Sequence, residues 1–198
     1  MKKISLLLIS AILLIACDNN GSGNHKEGHN HDSIGSTAPK DTSKDTSKKS
    51  IASEVVKRID NADVTIKYHS PGVRGRVIWG GLVPYDEVWV TGAHSATTLE
   101  VNKEFQVADK SIKAGKYAIF TIPGNEDWTV IINSNWDQHL ADEYSEKDDL
   151  ARIKVKPQIQ QDISERLKYE INQTGKDSAT IAIGWEKVRV EFPLLVRQ

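Results

Sequence analysis

From about Glu54 to the C-terminus the sequence predicts an all-β fold: an antiparallel β-sandwich, with a closed barrel as the alternative and little helix. Three observations predict it. Apolar and polar residues alternate in short runs, the period that half-buries a strand. Gly, Pro and Asn separate those runs at short intervals. No segment sustains a 3.6-residue apolar period over the length of a long helix.

The runs follow in order. Val64, Ile66 and Tyr68 alternate, and Pro71-Gly72 makes a turn. Val73, Val77 and Trp79 suggest a strand around Gly75, with Arg74 and Arg76 on its other face. Gly80-Gly81 breaks it, and Val88 to Val90 is a short apolar strand. Thr97, Leu99 and Val101 alternate, Asn102-Lys103 turns, and Phe105, Val107 and Ile112 continue. Tyr117 to Ile122 and Trp128 to Ile132 are apolar on both faces and should be central strands. Asn133 to Asp149 is a long polar stretch with room for one helical turn around Asp137 to Tyr144. Ile153 and Val155 give a further strand. Ile163, Leu167 and Ile171 fit helix spacing, whereas Leu167, Tyr169 and Ile171 fit strand spacing, and the strand is preferred. After Thr174-Gly175-Lys176, Ala179, Ile181, Ile183 and Trp185 alternate, and Val188, Val190 and Phe192 follow.

The N-terminal quarter has another character. Lys2 and Lys3 precede an apolar run, Ile4 to Ile15, too short to span a bilayer as a helix and suited to a secretory signal. It ends Leu14-Ile15-Ala16-Cys17, which resembles a bacterial lipobox and implies cleavage after residue 16 and acylation of Cys17. Cys17 is the one cysteine in the chain, so no intrachain disulfide forms. Each buried acyl CH₂ adds about 0.8 kcal/mol of membrane affinity, so several chains would hold the protein to the inner or outer membrane, its folded domain periplasmic or surface-exposed. Residues 17–53 are polar and contain the repeat Lys40-Asp41-Thr42-Ser43, Lys44-Asp45-Thr46-Ser47. Such a composition buries too little surface to offset its ordering entropy and predicts a disordered tether. His25, His29 and His31 within it could chelate Zn²⁺, Cu²⁺ or Ni²⁺, but three ligands without a scaffold make a weak, unselective site. No other cofactor is indicated.

Charge narrows the partners. Lys and Arg number 26 against 27 Asp and Glu, a net charge of −1, which lacks the basic excess that nucleic-acid binding requires.

The densest candidate chemistry lies between Tyr68 and Val101. Arg74 and Arg76, two apart on a strand, would share a face and could grip a carboxylate, sulfate or phosphate; the ordinary reading is a solvated face. Trp89, like Trp79, could be a platform for a sugar ring, or pack in the core. Thr91-Gly92-Ala93-His94-Ser95-Ala96-Thr97-Thr98 is rich in hydroxyls and small residues, where Gly permits a positive φ and a ligand can approach the backbone. Arg74, Arg76, Trp89, Thr91, His94 and Thr97 are therefore the candidate ligand-binding residues. His94 beside Ser95 suggests a base and a nucleophile, yet no third group and no Gly-x-Ser-x-Gly elbow accompany them, so no catalytic residue is assigned. His69, His94 and His139 could converge on a metal.

Gly75-Arg76, Trp79-Gly80-Gly81-Leu82-Val83-Pro84-Tyr85, Val88-Trp89, Thr91-Gly92-Ala93 and Ala96-Thr97-Thr98 resemble, in order, the motifs of the DUF2911 family. So do Ala114-Gly115-Lys116-Tyr117, Phe120-Thr121-Ile122-Pro123-Gly124 and Trp128-Thr129-Val130-Ile131. The resemblance spans about Ile66 to Glu191 and implies a single β-rich domain, residues 54–198, of the secreted and lipid-anchored kind found in bacteria, many of them Bacteroidetes. It supplies no reaction. The chain departs from the family pattern where Val90 stands for an Arg, His94 for an Asn, and His69-Ser70-Pro71 for Ser-Arg-Pro.

Three functions fit these observations. The first is a lipid-anchored module binding a small polar or anionic molecule, or a glycan. The second is an envelope hydrolase using His94 with Asp86 or Asp137. The third is a structural module that meets an envelope protein through a sheet edge or face.

Overall fold

The computed structural model describes residues 49–197. The expectations for the signal, for acylation of Cys17 and for metal at His25, His29 and His31 fall outside the described residues.

Ten strands follow one another: β1 (Ile51–Ile59), β2 (Ala62–Ser70), β3 (Thr97–Val101), β4 (Phe105–Val107), β5 (Lys110–Ile112), β6 (Gly115–Ile122), β7 (Trp128–Asn133), β8 (Asp149–Val155), β9 (Gln158–Gln173) and β10 (Ser178–Val196). Among the described residues the only helical element is a 3₁₀ turn at Glu146–Asp148. It falls beyond the stretch around Asp137 to Tyr144 where a helical turn was expected. The strands form two sheets, ordered β1-β2-β3-β6-β7-β8 and β5-β4-β10-β9, with every neighbouring pair antiparallel. The sheets are not closed into a barrel, so the sandwich stands and the alternative does not.

Alternation explains the packing. Ala62, Val64, Ile66 and Tyr68 of β2 are buried toward the second sheet, as are Leu99 and Val101 of β3, and Val130 and Ile132 of β7. Leu167, Tyr169 and Ile171 of β9 and Ile181, Ile183, Trp185, Val190 and Phe192 of β10 meet them. Removing each large apolar side chain from water contributes about 1.5–3 kcal/mol, and this layer holds the sheets together. Four of the five tryptophans meet inside it: Trp89 stacks on Trp185 at 5.7 Å and an interplanar angle of 20°, and Trp79 lies edge-on to Trp89, Trp128 and Trp185.

Two sequence expectations are corrected here. Residues 73–79 are not a strand. Arg74 and Gly75 take φ values of 51° and 68°, and the Arg76 amide donates to the Val73 carbonyl, so the segment is a tight turn with two left-handed central residues. The phase also reverses after it: Val77 is 75% exposed and Ile78 is buried. Val88 to Val90 forms no strand either. Trp89 makes one antiparallel bridge to Thr121, exchanging both backbone hydrogen bonds with it. In addition, β1 starts at Ile51, so Ile51 to Ser53, taken as tether, are sheet residues.

The outer face of the large sheet carries a second small core. Ala118 and Phe120 of β6 and Ile131 of β7 pack there with Val90 and Ala96, flanked by Trp136, Ala141 and Tyr144. Two loops cover this face: 88–96, and the 134–148 connection between β7 and β8. They are clipped together where Ser95 bridges His139, the Ala96 amide donates to the Gln138 carbonyl and the Leu140 amide to the His94 carbonyl. Asn133 anchors the longer loop by donating to the Ser145 carbonyl and to Asp149 Oδ1, and the Tyr144 hydroxyl donates to Asp149 Oδ2 at 2.8 Å. Burial and that bond push the Tyr144 hydroxyl pKa up to about 12.

Candidate functional site

Beside this outer core, strands β1, β2, β3 and β6 leave a cleft of about 530 Å³ under the 134–148 loop. Its floor is set by alternation: Glu54, Lys67, His69, Thr98 and Lys116 point outward because their neighbours point inward. Its wall is Trp136, Asp137 and Gln138. Lys116 Nζ stands 3.7 Å from the centroid of the Trp136 ring, a cation–π contact that fixes the ammonium at the mouth of the cleft. Gln138 is buried; its Nε2 donates to the Asn135 carbonyl, and its Oε1 has no hydrogen-bond partner. Leaving a buried acceptor unmade costs about 1–3 kcal/mol.

A second cavity, about 600 Å³, continues the first and shares Ala52 and His69 with it. Lys49, Ser50, Arg74 and His94 complete its lining. Ala52 sits directly opposite His69 across β1 and β2, and its short side chain leaves the groove open between the two ends. The His69 and His94 rings meet edge to face with centroids 5.2 Å apart. Burial, and then the neighbouring His94, lower the pKa of His69 from its ordinary 6.5.

The expected site residues divide. Arg74 and His94 line this groove, together with His69. Arg76 does not join Arg74. Its guanidinium turns back onto the Gly72 and Val73 carbonyls and holds the turn. Arg76→Ala is thus expected to lower thermal stability by about 1 kcal/mol and to leave ligand affinity unchanged, as paired melting and binding curves would show.

Thr91 and Thr97 are fully buried and face no cleft. Thr91 has φ 52°, a strained value for a β-branched residue. Hydrogen bonds hold it there: its hydroxyl donates to the Trp89 carbonyl and pairs with Thr121 Oγ1, and its carbonyl accepts from Thr97 Oγ1 and from the Tyr169 hydroxyl at 2.9 Å each. Burial also drives the Tyr169 hydroxyl pKa far up, so it stays a neutral donor. Trp89 belongs to the indole cluster and is no exposed platform. Gly92 does not use a positive φ. Its role is closeness, because a Cβ there would sit 2.8 Å from Thr97 Oγ1.

His94 takes φ 65°, a region where Asn and His are enriched. Asn and His both tolerate that backbone, so the two residues would differ at this position in the group offered to the cavity, an amide or an imidazole. Val90, a second departure, packs in the outer core. The His139 ring pairs with Asp142 at 3.0 Å on the surface, whereas the His69 and His94 rings contact each other. Among the described residues no three His, Cys, Asp or Glu side chains gather to hold a metal.

Sequence reasoning missed Trp136, Lys116 and Gln138. Trp136 carried a signal: it is the one aromatic between Asn133 and Tyr144, in an otherwise polar stretch, where nothing in the local pattern demands a core residue.

Fold and groove together define an antiparallel two-sheet domain with a built cleft on the outer face of its larger sheet. Over residues 50–194 the chain matches the family described as "Protein of unknown function (DUF2911)" and belongs to it. No curated protein and no solved structure matches the chain. The residues on which the resemblance was read fall largely on packing positions. Gly80 gives way to the Tyr85 ring, which a Cβ would meet at 2.8 Å; Trp79, Trp89 and Trp128 are in the indole cluster, and Thr91 and Gly92 build the strained loop. They mark the scaffold more than the cleft.

Proposed function

We propose that the protein is a lipid-anchored extracytoplasmic binding module whose cleft between Trp136 and His69 takes a sugar-sized polar ligand, neutral or anionic. The observation that carries this is Gln138 Oε1, a buried acceptor without a donor on the wall of a cleft that also presents the Trp136 ring and the fixed Lys116 ammonium. A ligand hydroxyl would complete Gln138, and a hydroxyl or carboxylate would accept from Lys116. The lipobox-like Leu14-Ile15-Ala16-Cys17 supports the anchor.

The hydrolase reading has less behind it. Ser95 and Asp137 line the cleft, but among the described residues the ring neighbour of His94 is His69, and no hydrogen bond joins His94 to Asp86 or Asp137. A protein-interaction role has in its favour Ile159 and Ile163, 73% and 57% exposed on edge strand β9.

Glucose and glucuronate, titrated against the purified full chain in thermal melts, test the binding reading. Either sugar should raise the midpoint saturably, since stabilisation grows as RT ln(1 + [L]/Kd) and reaches about 2.7 kcal/mol at 100-fold excess over Kd. Trp136→Ala and Lys116→Ala should each weaken that response about tenfold or more. A flat response to both sugars, or one indifferent to both substitutions, would overturn it.

A further inference from the structure

We infer that the His69–His94 end of the groove is an oxyanion subsite, built for a phosphate, sulfate or carboxylate group, that binds more tightly as the pH falls. The inference rests on the cleft being the ligand site and names the chemistry of its second end.

Four basic side chains, Lys49, His69, Arg74 and His94, line that cavity with the Ser50 hydroxyl, and no carboxylate is among its described lining residues. An anion there meets the Arg74 guanidinium, the Lys49 ammonium and two imidazole rings, and an imidazolium holds an oxyanion more tightly than a neutral ring does. A cation is the poorer fit. Two imidazoles leave half of a tetrahedral shell unfilled, and the Arg74 and Lys49 charges oppose a metal.

The groups around His69 set the sign. Across the strand, β1 offers Ala52, with Glu54 further along and ion-paired to Lys67 of β2 at 3.3 Å. The 92–96 loop offers His94 and Ser95, the tight turn offers Arg74, and the far wall offers Asp137. Glu165 of β9 is engaged by the Arg74 amide at 2.9 Å. Charging His69 is therefore opposed first by its partial burial and then by His94. Because its pKa is lowered in the folded state, the unfolded chain binds more protons below about pH 6.5, and acidification through that range removes stability. An oxyanion between the rings reverses the penalty: it raises the pKa, protons are taken up on binding, and affinity grows on acidification.

Sulfate is the probe, because its own charge is constant over this range. Calorimetric titration of the full chain should give an affinity about tenfold or more higher near pH 5.5 than near pH 7.5. In the double variant His69→Gln, His94→Asn, which keeps a residue suited to positive φ at position 94, the ratio should fall below about twofold. Arg74→Ala should weaken sulfate at both pH values and leave the ratio. Vesicles containing phosphatidylglycerol that displace sulfate would assign the oxyanion to a lipid headgroup; indifference to them would assign it to a soluble ligand. Equal sulfate affinity at the two pH values, an unchanged ratio in the double variant, or Zn²⁺ stabilisation in place of sulfate that the same variant abolishes would overturn the inference. Loss of the sulfate effect while sugar binding still depends on Trp136 would overturn the subsite alone; loss of both would overturn the cleft.

Discussion

Trp185→Ala should destabilise the domain by about 3–5 kcal/mol, the cost of deleting a large aromatic from a core that closes over the space only in part. Trp185 is 2% exposed on β10, and its ring is stacked on Trp89 and edge-on to Trp79. Trp79 and Trp89 both sit on irregular segments that connect β2 to β3, so this indole joins the second sheet to the loops of the first. Such a loss is a large share of the roughly 5–15 kcal/mol that holds a domain folded, and denaturant unfolding would report it as a lower midpoint at constant m-value. Trp185→Phe separates packing from polarity. Trp185 Nε1 is buried without a partner, and Phe removes that orphan donor while keeping a ring against Trp89. The Phe variant should therefore lose far less than the Ala variant. Equal losses would show that the indole cluster does not carry the junction.

Gly92→Ala should cost about 1–3 kcal/mol, the usual penalty of overpacking, and should damage the groove as well. The added methyl lands 2.8 Å from Thr97 Oγ1 and 3.3 Å from the His69 carbonyl. Thr97 cannot swing aside cheaply, because it is fully buried on β3 and its hydroxyl is committed to the Thr91 carbonyl. The loop must lift, and His94, two residues on, leaves His69. The variant should therefore lose both melting temperature and the pH dependence of sulfate binding. A stable variant with parental pH dependence would show that the 91–94 loop does not position His94.

How far the sequence could lead depended on which force placed each residue. Where alternation reflects burial, it located the strands: Val64-Ile66-Tyr68, Thr97-Leu99-Val101 and Ala179-Ile181-Ile183 are inward-facing rows of β2, β3 and β10. Residues 163–171 proved to be strand, within β9. Strand β1 escaped because it is a sheet edge with most side chains exposed on both faces, which leaves no apolar rhythm. Val73, Val77 and Trp79 deceived for the opposite reason: the spacing was regular but the backbone between them reverses at Arg74-Gly75.

The candidate site was half legible. Chemical character picked out Arg74 and His94, which do line the groove. It also picked Thr91, Thr97 and Trp89, whose polar or aromatic groups the fold spends on its own loop and core. Trp136, Lys116 and Gln138 meet His69 only through long-range strand pairing and the clip between two loops, and no local pattern encodes such a meeting.

Mapping backbone and indole N–H resonances of the full chain during titration with glucuronate would locate the ligand, which we propose lies on the outer face of the large sheet. The Trp136 indole, Thr98, Lys116 and His69 should shift together and saturate at one concentration, while Ile163, Lys168 and Val188 in the groove between β9 and β10 stay still. Saturable shifts confined to the β9–β10 groove, with Trp136 and His69 unmoved, would contradict that placement.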